Sequence, residues 1–478
     1  MEYSKGNIES GLTPITSPWM DNLFNQGALL TDLLEKYGSP INIHQLQSFS
    51  TNISIFREAL DNLDLSYQIY YARKANKCTS LVKRAFHDKI GVDTASFKEL
   101  RQCIKLGGNS ENVVLTSAIK TSDQIELAIE HQIPIILDNW DEILLTIKTA
   151  RKLGKKANIG LRISGFSVAG EKLYSRFGFD IDSIRDLIFK DLKELEAEDA
   201  FDINGLHFHL DGYSTSQRGK ALSDSLELAE DLSQQDIHIK FIDIGGGITM
   251  NYLKDEDEWN SFQHKLKDAV LQNNNTETFN NNGLGFENID GVLKGKLNTY
   301  PFFNKVNGVT FLEEVLHFKN EANLSNASRL KSQNIQFRME PGRSLLNQVG
   351  MTVAKVVHRK RDAKGQWLVG LDMNMSQMMS SSADFLLDPF VIFKEEASGP
   401  EVDVFFTGAY CLERDVLLKR KITLPNLPAI DDIVIFVNTA GYMMHFFETE
   451  AHLFDLSTNL STSKDSSLNL VDFEEDAM

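Results

Sequence analysis

Short runs rich in Val, Ile and aromatic residues recur between residues 68 and 341, separated by longer stretches whose apolar positions fall three and four apart. Eight runs stand out: "QIYYA" at 68, "KIGVD" at 89, "NVVLT" at 112, "PIILD" at 134, "NIGLRIS" at 158, "NGLHFHL" at 204, "KFIDIGG" at 240 and "IQFRMEPG" at 335. Compact apolar runs of this length predict strands. The gaps predict helices, such as "SFKELRQCIKLGG" from 96, stopped by glycine, and "SDQIELAIEHQ" from 122, opened by Ser122. Alternating strand and helix means parallel strands with crossover helices, and eight such units predict an α/β fold, a (β/α)8 TIM-like barrel, over residues 39–345.

The alternation breaks twice. An insertion is expected near 252–305, where "QNNNTETFNNNG" at 272 is too polar to bury anything and predicts a mobile loop. After 345 the runs lengthen and helical patterns thin out, as in "MTVAKVVHRK" and "DDIVIFVNTAGY", which predicts a C-terminal β-sandwich or β-barrel domain over 346–456. Residues 1–38 are expected to form an N-terminal extension packed on that β domain, and the Ser-rich, acidic stretch 457–478 a flexible tail.

Charge narrows the partners. Against 49 Lys and Arg stand 67 Asp and Glu, a net −18, the wrong sign for neutralising nucleic-acid phosphates. No apolar run approaches the roughly 18 residues of a membrane helix. Three cysteines, Cys78, Cys103 and Cys411, are too few and too scattered for a disulfide framework or a zinc site. A reducing cytoplasm is the expected compartment, with a small molecule as partner and neither nucleic acid nor membrane.

Barrel enzymes keep their chemistry at the C-terminal ends of the strands. Here those ends carry Lys74, Asp93, Asp138, Arg162, His207 and His209, Gly245 to Gly247, and Glu340 with Gly342 and Arg343. The two histidines are expected to divide between the barrel interior and the helices. Three successive glycines let backbone N–H groups approach a phosphate, and Arg343 would add a planar cation. A dinucleotide fingerprint is excluded by Met250 where a further glycine is needed. A phosphate anchor, a lysine and a glutamate beside the arginine together fit pyridoxal 5′-phosphate, with Lys74 on its aldehyde. Burial, with Arg73 if it points inward, would lower the Lys74 pKa.

These residues fall in ordered motifs that resemble the fold-type III pyridoxal-phosphate decarboxylases, the alanine racemase-like group containing diaminopimelate, ornithine and arginine decarboxylases. "YARKAN", "GVDTAS", "GLHFHL", "IDIGGG", "RMEPGR" and "GAYCLERD" occur in the family's order between about 38 and 450. The resemblance implies a Schiff base on Lys74, His209 stacked on the pyridine ring and Glu340 at the ring nitrogen. It implies a phosphate held by Gly245, Gly246, Gly247, Gly342, Arg343 and Tyr442. Cys411 would protonate the substrate carbon after a quinonoid intermediate, and Asp415 would meet the substrate's distal group. Asp93, Arg162 and Glu413 are further candidate substrate contacts. Because the family's cysteine loop serves the neighbouring subunit, a homodimer with shared active sites is expected.

The chain departs from the pattern after His209, where "LDGYS" puts Asp211 near the phosphate and displaces the usual serine to Ser214. Leu412 stands where relatives carry an acid, and "LDMNMSQMMSSSADFLLDP" replaces the usual substrate segment. Cofactor positions persist better than substrate positions. The expected activity is decarboxylation of an amino acid or amino-acid conjugate other than diaminopimelate, ornithine or arginine, in amino-acid, polyamine or siderophore-like biosynthesis. A racemase on the same fold and a catalytically silent decarboxylase-like regulator are the alternatives. His445, with Glu448 and Glu450, is read as a solvated or subunit-facing segment rather than a metal site.

Overall fold

In the computed structural model, which describes residues 2–8, 11–273, 277–380, 385–395 and 399–476, eight parallel strands close into a barrel. They are Tyr67–Ala72, Gly91–Thr94, Val113–Leu115, Ile135–Leu137, Ala157–Ser164, Phe201–His207, Phe241–Asp243 and Gln336–Met339. The eighth pairs with the first, Phe337 opposite Tyr67, so no edge is left. Tyr70, Val114, Ile136 and Phe241 plug the interior. Two rings of that size need room, and Gly205 provides it: a Cβ there would come within 2.1 Å of the Phe241 ring. Outward residues such as Ile69, Tyr71 and Val92 pack with Phe49, Ile53 and Leu81 of the surrounding helices. Residues two apart on a strand share a face, so His207 and His209 both turn inward and Phe208 between them packs on the helix side. The expected division of the two histidines is corrected accordingly.

The second domain is built on a ten-stranded sheet around the strand Gly350–Arg361. Its two faces follow residue parity. Met351, Val353, Ile433 and Ile435 meet Trp19, Met20, Leu23 and Leu30 of the N-terminal helices Pro18–Phe24 and Gly27–Tyr37. Ala354, Val356, Val434 and Phe436 face the other way, toward Tyr252, Trp259 and Phe262. Strand Ile41–Gln45, assigned by sequence to the barrel, joins this sheet instead, pairing with Gly350–Val353. Buried on both sides, it lacks the alternation that marks a half-buried strand.

Two expectations about polar segments are overturned. Residues 458–462 are a strand beside Ile41–Gln45, Leu468 and Phe473 enter the core of the N-terminal helices, and Asp476 bonds Thr79 and Ser80. This stretch is no flexible tail. Its composition misleads because Ser and Thr serve the backbone ladder as well as apolar residues do, and only a few large side chains anchor it. The insertion forms a helix, Glu256–Leu271, and a hairpin, Phe286–Ile289 with Val292–Gly295. Of its asparagine-rich stretch, residues 274–276 lie outside the described residues, but the Phe279 N–H donates to the Lys419 carbonyl at 2.8 Å and pins the rest to the β domain. No helix among the described residues is long and apolar enough to cross a membrane.

Candidate active site

The first barrel strand runs straight into a single 3-10 turn, Arg73–Ala75. This sends Arg73 and Lys74 to opposite sides. Arg73 turns outward, donating to Gln102 and, at 3.3 Å, to the Glu99 carbonyl. Lys74 enters the barrel mouth, its Nζ 3.0 Å from Asp93 Oδ2 at the end of the second strand. Arg73 therefore does not depress the lysine, correcting that expectation. Burial alone would lower the Lys74 pKa, but the carboxylates of Asp93 and Glu340, with Tyr442, outweigh it and raise it. Without a bound aldehyde the lysine is an ammonium ion paired with Asp93.

Below the mouth lies a buried ionisable cluster. Glu340 Oε1 is 3.2 Å from His207 Nε2, and Asp243 completes a group whose polar atoms all lie within 4.8 Å of one another. Burial raises the Asp243 carboxyl well above its ordinary value and Glu340 reinforces the shift; burial also raises Glu340. Two carboxyls so placed resist ionising together, so the pair retains a proton that burial favours on Asp243. Burial, helped by the Arg162 charge, pushes His207 far down and keeps it neutral.

The glycine loop forms the third wall. Gly245 and Gly247 have φ of 66° and 80°, backbone open to glycine at little cost. A Cβ at Gly245 would lie 2.6 Å from His209 Nδ1, and one at Gly246 2.6 Å from the Glu340 carbonyl. The Gly245 N–H bonds Asp243 at 2.9 Å and the Gly246 N–H bonds His209 Nδ1 at 3.2 Å. Accepting at Nδ1 leaves the His209 proton on Nε2. Arg343 donates to the Gly441 carbonyl at 3.2 Å, its guanidinium 4.1 Å from the Tyr300 ring and 5.3 Å from that of Tyr442. Tyr442 comes from the β domain, is tied by its N–H to the Ala75 carbonyl at 2.8 Å, and sets its hydroxyl against Gly342, where a Cβ would meet it at 2.7 Å.

Other candidates fall outside this group. Asp415 is buried, its carboxylate taken by the N–H groups of Tyr410 at 2.7 Å and Met375 at 2.8 Å, so within this chain it shapes the cysteine loop. Cys411 and Glu413 are exposed on that loop, and no hydrogen bond or ion pair among the described residues joins Cys411 to the lysine cluster. Arg162 is buried over the Phe177 ring, 3.6 Å from Asp138. Ser214 caps the helix Thr215–Ser233 through the Gln217 N–H, and Asp211 is exposed. His445 is neither solvated nor on the surface: it accepts from the Lys77 N–H at 3.3 Å and lies 2.8 Å from Asn459 Oδ1.

The set fits pyridoxal phosphate: an amine for its aldehyde, a buried carboxyl for its ring nitrogen, and backbone N–H groups with Arg343 for its phosphate. Any side chain on the glycine loop would collide with the walls of that cradle. Residues 46–282 match the family model described as pyridoxal-dependent decarboxylase, pyridoxal binding domain. The chain belongs, as a divergent member, to the fold-type III pyridoxal-dependent decarboxylase family. The family's cofactor is pyridoxal 5′-phosphate, and its members act on amino acids. An uncharacterized protein, y4yA, of Sinorhizobium fredii is 28% identical, with 93% of this chain and 92% of the relative aligned. Diaminopimelate decarboxylase of Campylobacter jejuni is 23% identical over 86% of this chain and 87% of its own. Among solved structures, a diaminopimelate decarboxylase from M. jannaschii superposes with a TM-score of 0.68 at 18% identity, covering 94% of this chain and 92% of that one. A lysine decarboxylase, SrLDC, in complex with PLP and cadaverine gives 0.64 at 18% identity, covering 90% and 92%.

Sequence reasoning missed the shared-proton partner Asp243, the role of His207 and a fully buried arginine, Arg218. Parity along "GLHFHL" and the aspartate two residues before the glycines could have found the first two. Nothing in "STSQRGKAL" distinguishes Arg218 from a surface residue.

Proposed function

We propose that the protein decarboxylates an amino acid or amino-acid conjugate through pyridoxal phosphate held on Lys74, and works in the cytoplasm as a homodimer. Pyridoxal phosphate supplies an aldehyde that captures the substrate amine and a ring that draws electrons from the bond to the departing carboxylate. Lys74 would hold that aldehyde, and Asp93, 3.0 Å from its Nζ, would receive the freed ammonium ion. Glu340, 3.2 Å from His207 and beside Asp243, would keep the ring nitrogen protonated. His209 would cover one ring face, while the loop Gly245, Gly246 and Gly247, with Gly342, Arg343 and Tyr442, would hold the phosphate. The observation that carries the reading is the convergence of Lys74, Glu340, the glycine loop and Arg343 on one barrel mouth.

Cys411 would donate its proton in the partner's site. Its own loop is exposed and lies among apolar side chains that protrude from the same domain, Leu412, Phe446, Phe447, Leu453 and Phe454, which supports burial against a second copy. The substrate's distal group is better matched by an acid than an amine. Asp93, Asp138 and Asp415 are engaged by Lys74, Arg162 and backbone N–H groups, and Asp211, on the cavity beside His209, accepts from the Gly212 N–H, whereas Arg176 lines the same cavity and stacks 3.9 Å from the Phe177 ring. The test is CO₂ release from the loaded protein across L- and D-amino acids and conjugates with acidic, neutral and basic tails, with Lys74→Ala as blank. Release confined to wild type, greatest for an acidic tail, is expected. Cofactor-loaded protein that releases none from any of them would refute the activity.

A further inference from the structure

Arg218, on the helix Thr215–Ser233, is only 1% exposed and faces no carboxylate among the described residues. Two other buried arginines are paired, Arg329 lying 3.3 Å from Glu230 and Arg420 bonding Asp388, while Arg73, also without a carboxylate among the described residues, points to the helix side away from the site and bonds the Gln102 side chain. Arg218 has only carbonyls, those of Gly246 at 3.0 Å, Leu210 at 3.2 Å and Gly212 at 3.3 Å, and its Nε has no partner. Phe311 covers it from one side, its ring 5.7 Å away. A buried guanidinium without an anion is costly, and the cost persists unless an anion arrives.

The glycine loop is where one can arrive. A Cβ on Gly247 would sit 2.6 Å from the Arg218 guanidinium, so the cation lies directly behind the loop. The carbonyl of Gly246, which accepts from Arg218, belongs to the same peptide group as the N–H of Gly247. Drawing electrons at that oxygen makes the N–H a stronger donor. That N–H has no acceptor among the described residues. We propose that Arg218 is a second cation for the cofactor phosphate, acting from behind the loop through the Gly246–Gly247 peptide and through its own uncompensated charge. It is a positioning residue, and its role rests on pyridoxal phosphate being the resident cofactor.

The experiment titrates apoprotein with pyridoxal phosphate and, separately, with pyridoxal, which lacks the phosphate, for wild type, Arg218→Gln and Arg218→Lys. Glutamine keeps a donor for the carbonyls but no charge. It should weaken pyridoxal phosphate at least ~tenfold while leaving pyridoxal within about twofold, and lysine should restore part of the difference. Equal loss for both ligands, or no loss of pyridoxal phosphate, overturns the proposal. Should neither variant fold, inorganic phosphate is added to wild-type apoprotein: a raised melting temperature is expected, and none overturns it. Wild type that fails to bind pyridoxal phosphate at all would instead remove the cofactor on which the proposal rests.

Discussion

Replacing Asp476 with alanine removes the carboxylate that closes the helix following the lysine turn. Its Oδ1 accepts from the Thr79 N–H at 3.1 Å and the Thr79 hydroxyl at 2.7 Å, and its Oδ2 from the Ser80 N–H at 3.0 Å. Those N–H groups open the helix Thr79–His87, whose preceding residue, Cys78, contributes no side-chain cap. Asp476 thus does from 397 residues away what a local Ser or Asp usually does. Losing an N-cap costs ~1 kcal/mol and losing a buried negative charge at a helix start about as much again, so ~2 kcal/mol is expected. An unfolding entropy of ~2.1 cal/mol/K per residue gives ~1 kcal/mol/K for 478 residues, hence a melting temperature lower by ~2 °C. The helix begins five residues after Lys74, so cofactor retention should fall with stability. Calorimetry and cofactor content after dialysis, with exposed Glu474→Ala as control, would measure both. Asp476→Ala matching that control in melting temperature and cofactor content would refute the reasoning.

Glu340→Gln should lower kcat at least ~hundredfold while cofactor affinity changes far less, because the charge matters most as electrons move toward the ring nitrogen; equal losses in both would assign Glu340 to binding alone. Gly246→Ala should weaken cofactor binding by ~2 kcal/mol, about thirtyfold in Kd, since the new methyl meets a backbone carbonyl that cannot step aside; a Kd within about threefold of wild type would contradict the cradle. Burial and Glu340 raise the Asp243 carboxyl, so folded apoprotein keeps a proton that the unfolded chain releases above about pH 4, and this costs stability as pH rises. Asp243→Asn removes that cost. Variant and wild type should therefore differ little near pH 4 and the variant gain by pH 8 in thermal melts; a difference independent of pH would refute the shared proton.

The eight barrel strands were legible because each is a compact apolar run and the gaps between them keep helical period. Lys74, Glu340, the glycines and Arg343 were legible because strand ends in a barrel share one mouth, so their positions along the chain already imply proximity. Two of the misreadings have a common cause. Ile41–Gln45 and Thr458–Thr462 are defined by each other across the chain, and neither local pattern nor composition encodes a partner so distant.

What the sequence by itself determined is the set of elements whose period or glycine content is local: barrel strands, helices, the phosphate loop and the lysine that follows a strand. Only the tertiary structure decided which way Arg73 and Lys74 turn, that Asp415 serves its own loop, that Asp243 and Glu340 share a proton, and that Arg218 is buried without an anion. Each of those depends on side chains brought together through space. Burial sets the energy of a charge, and burial belongs to the folded molecule.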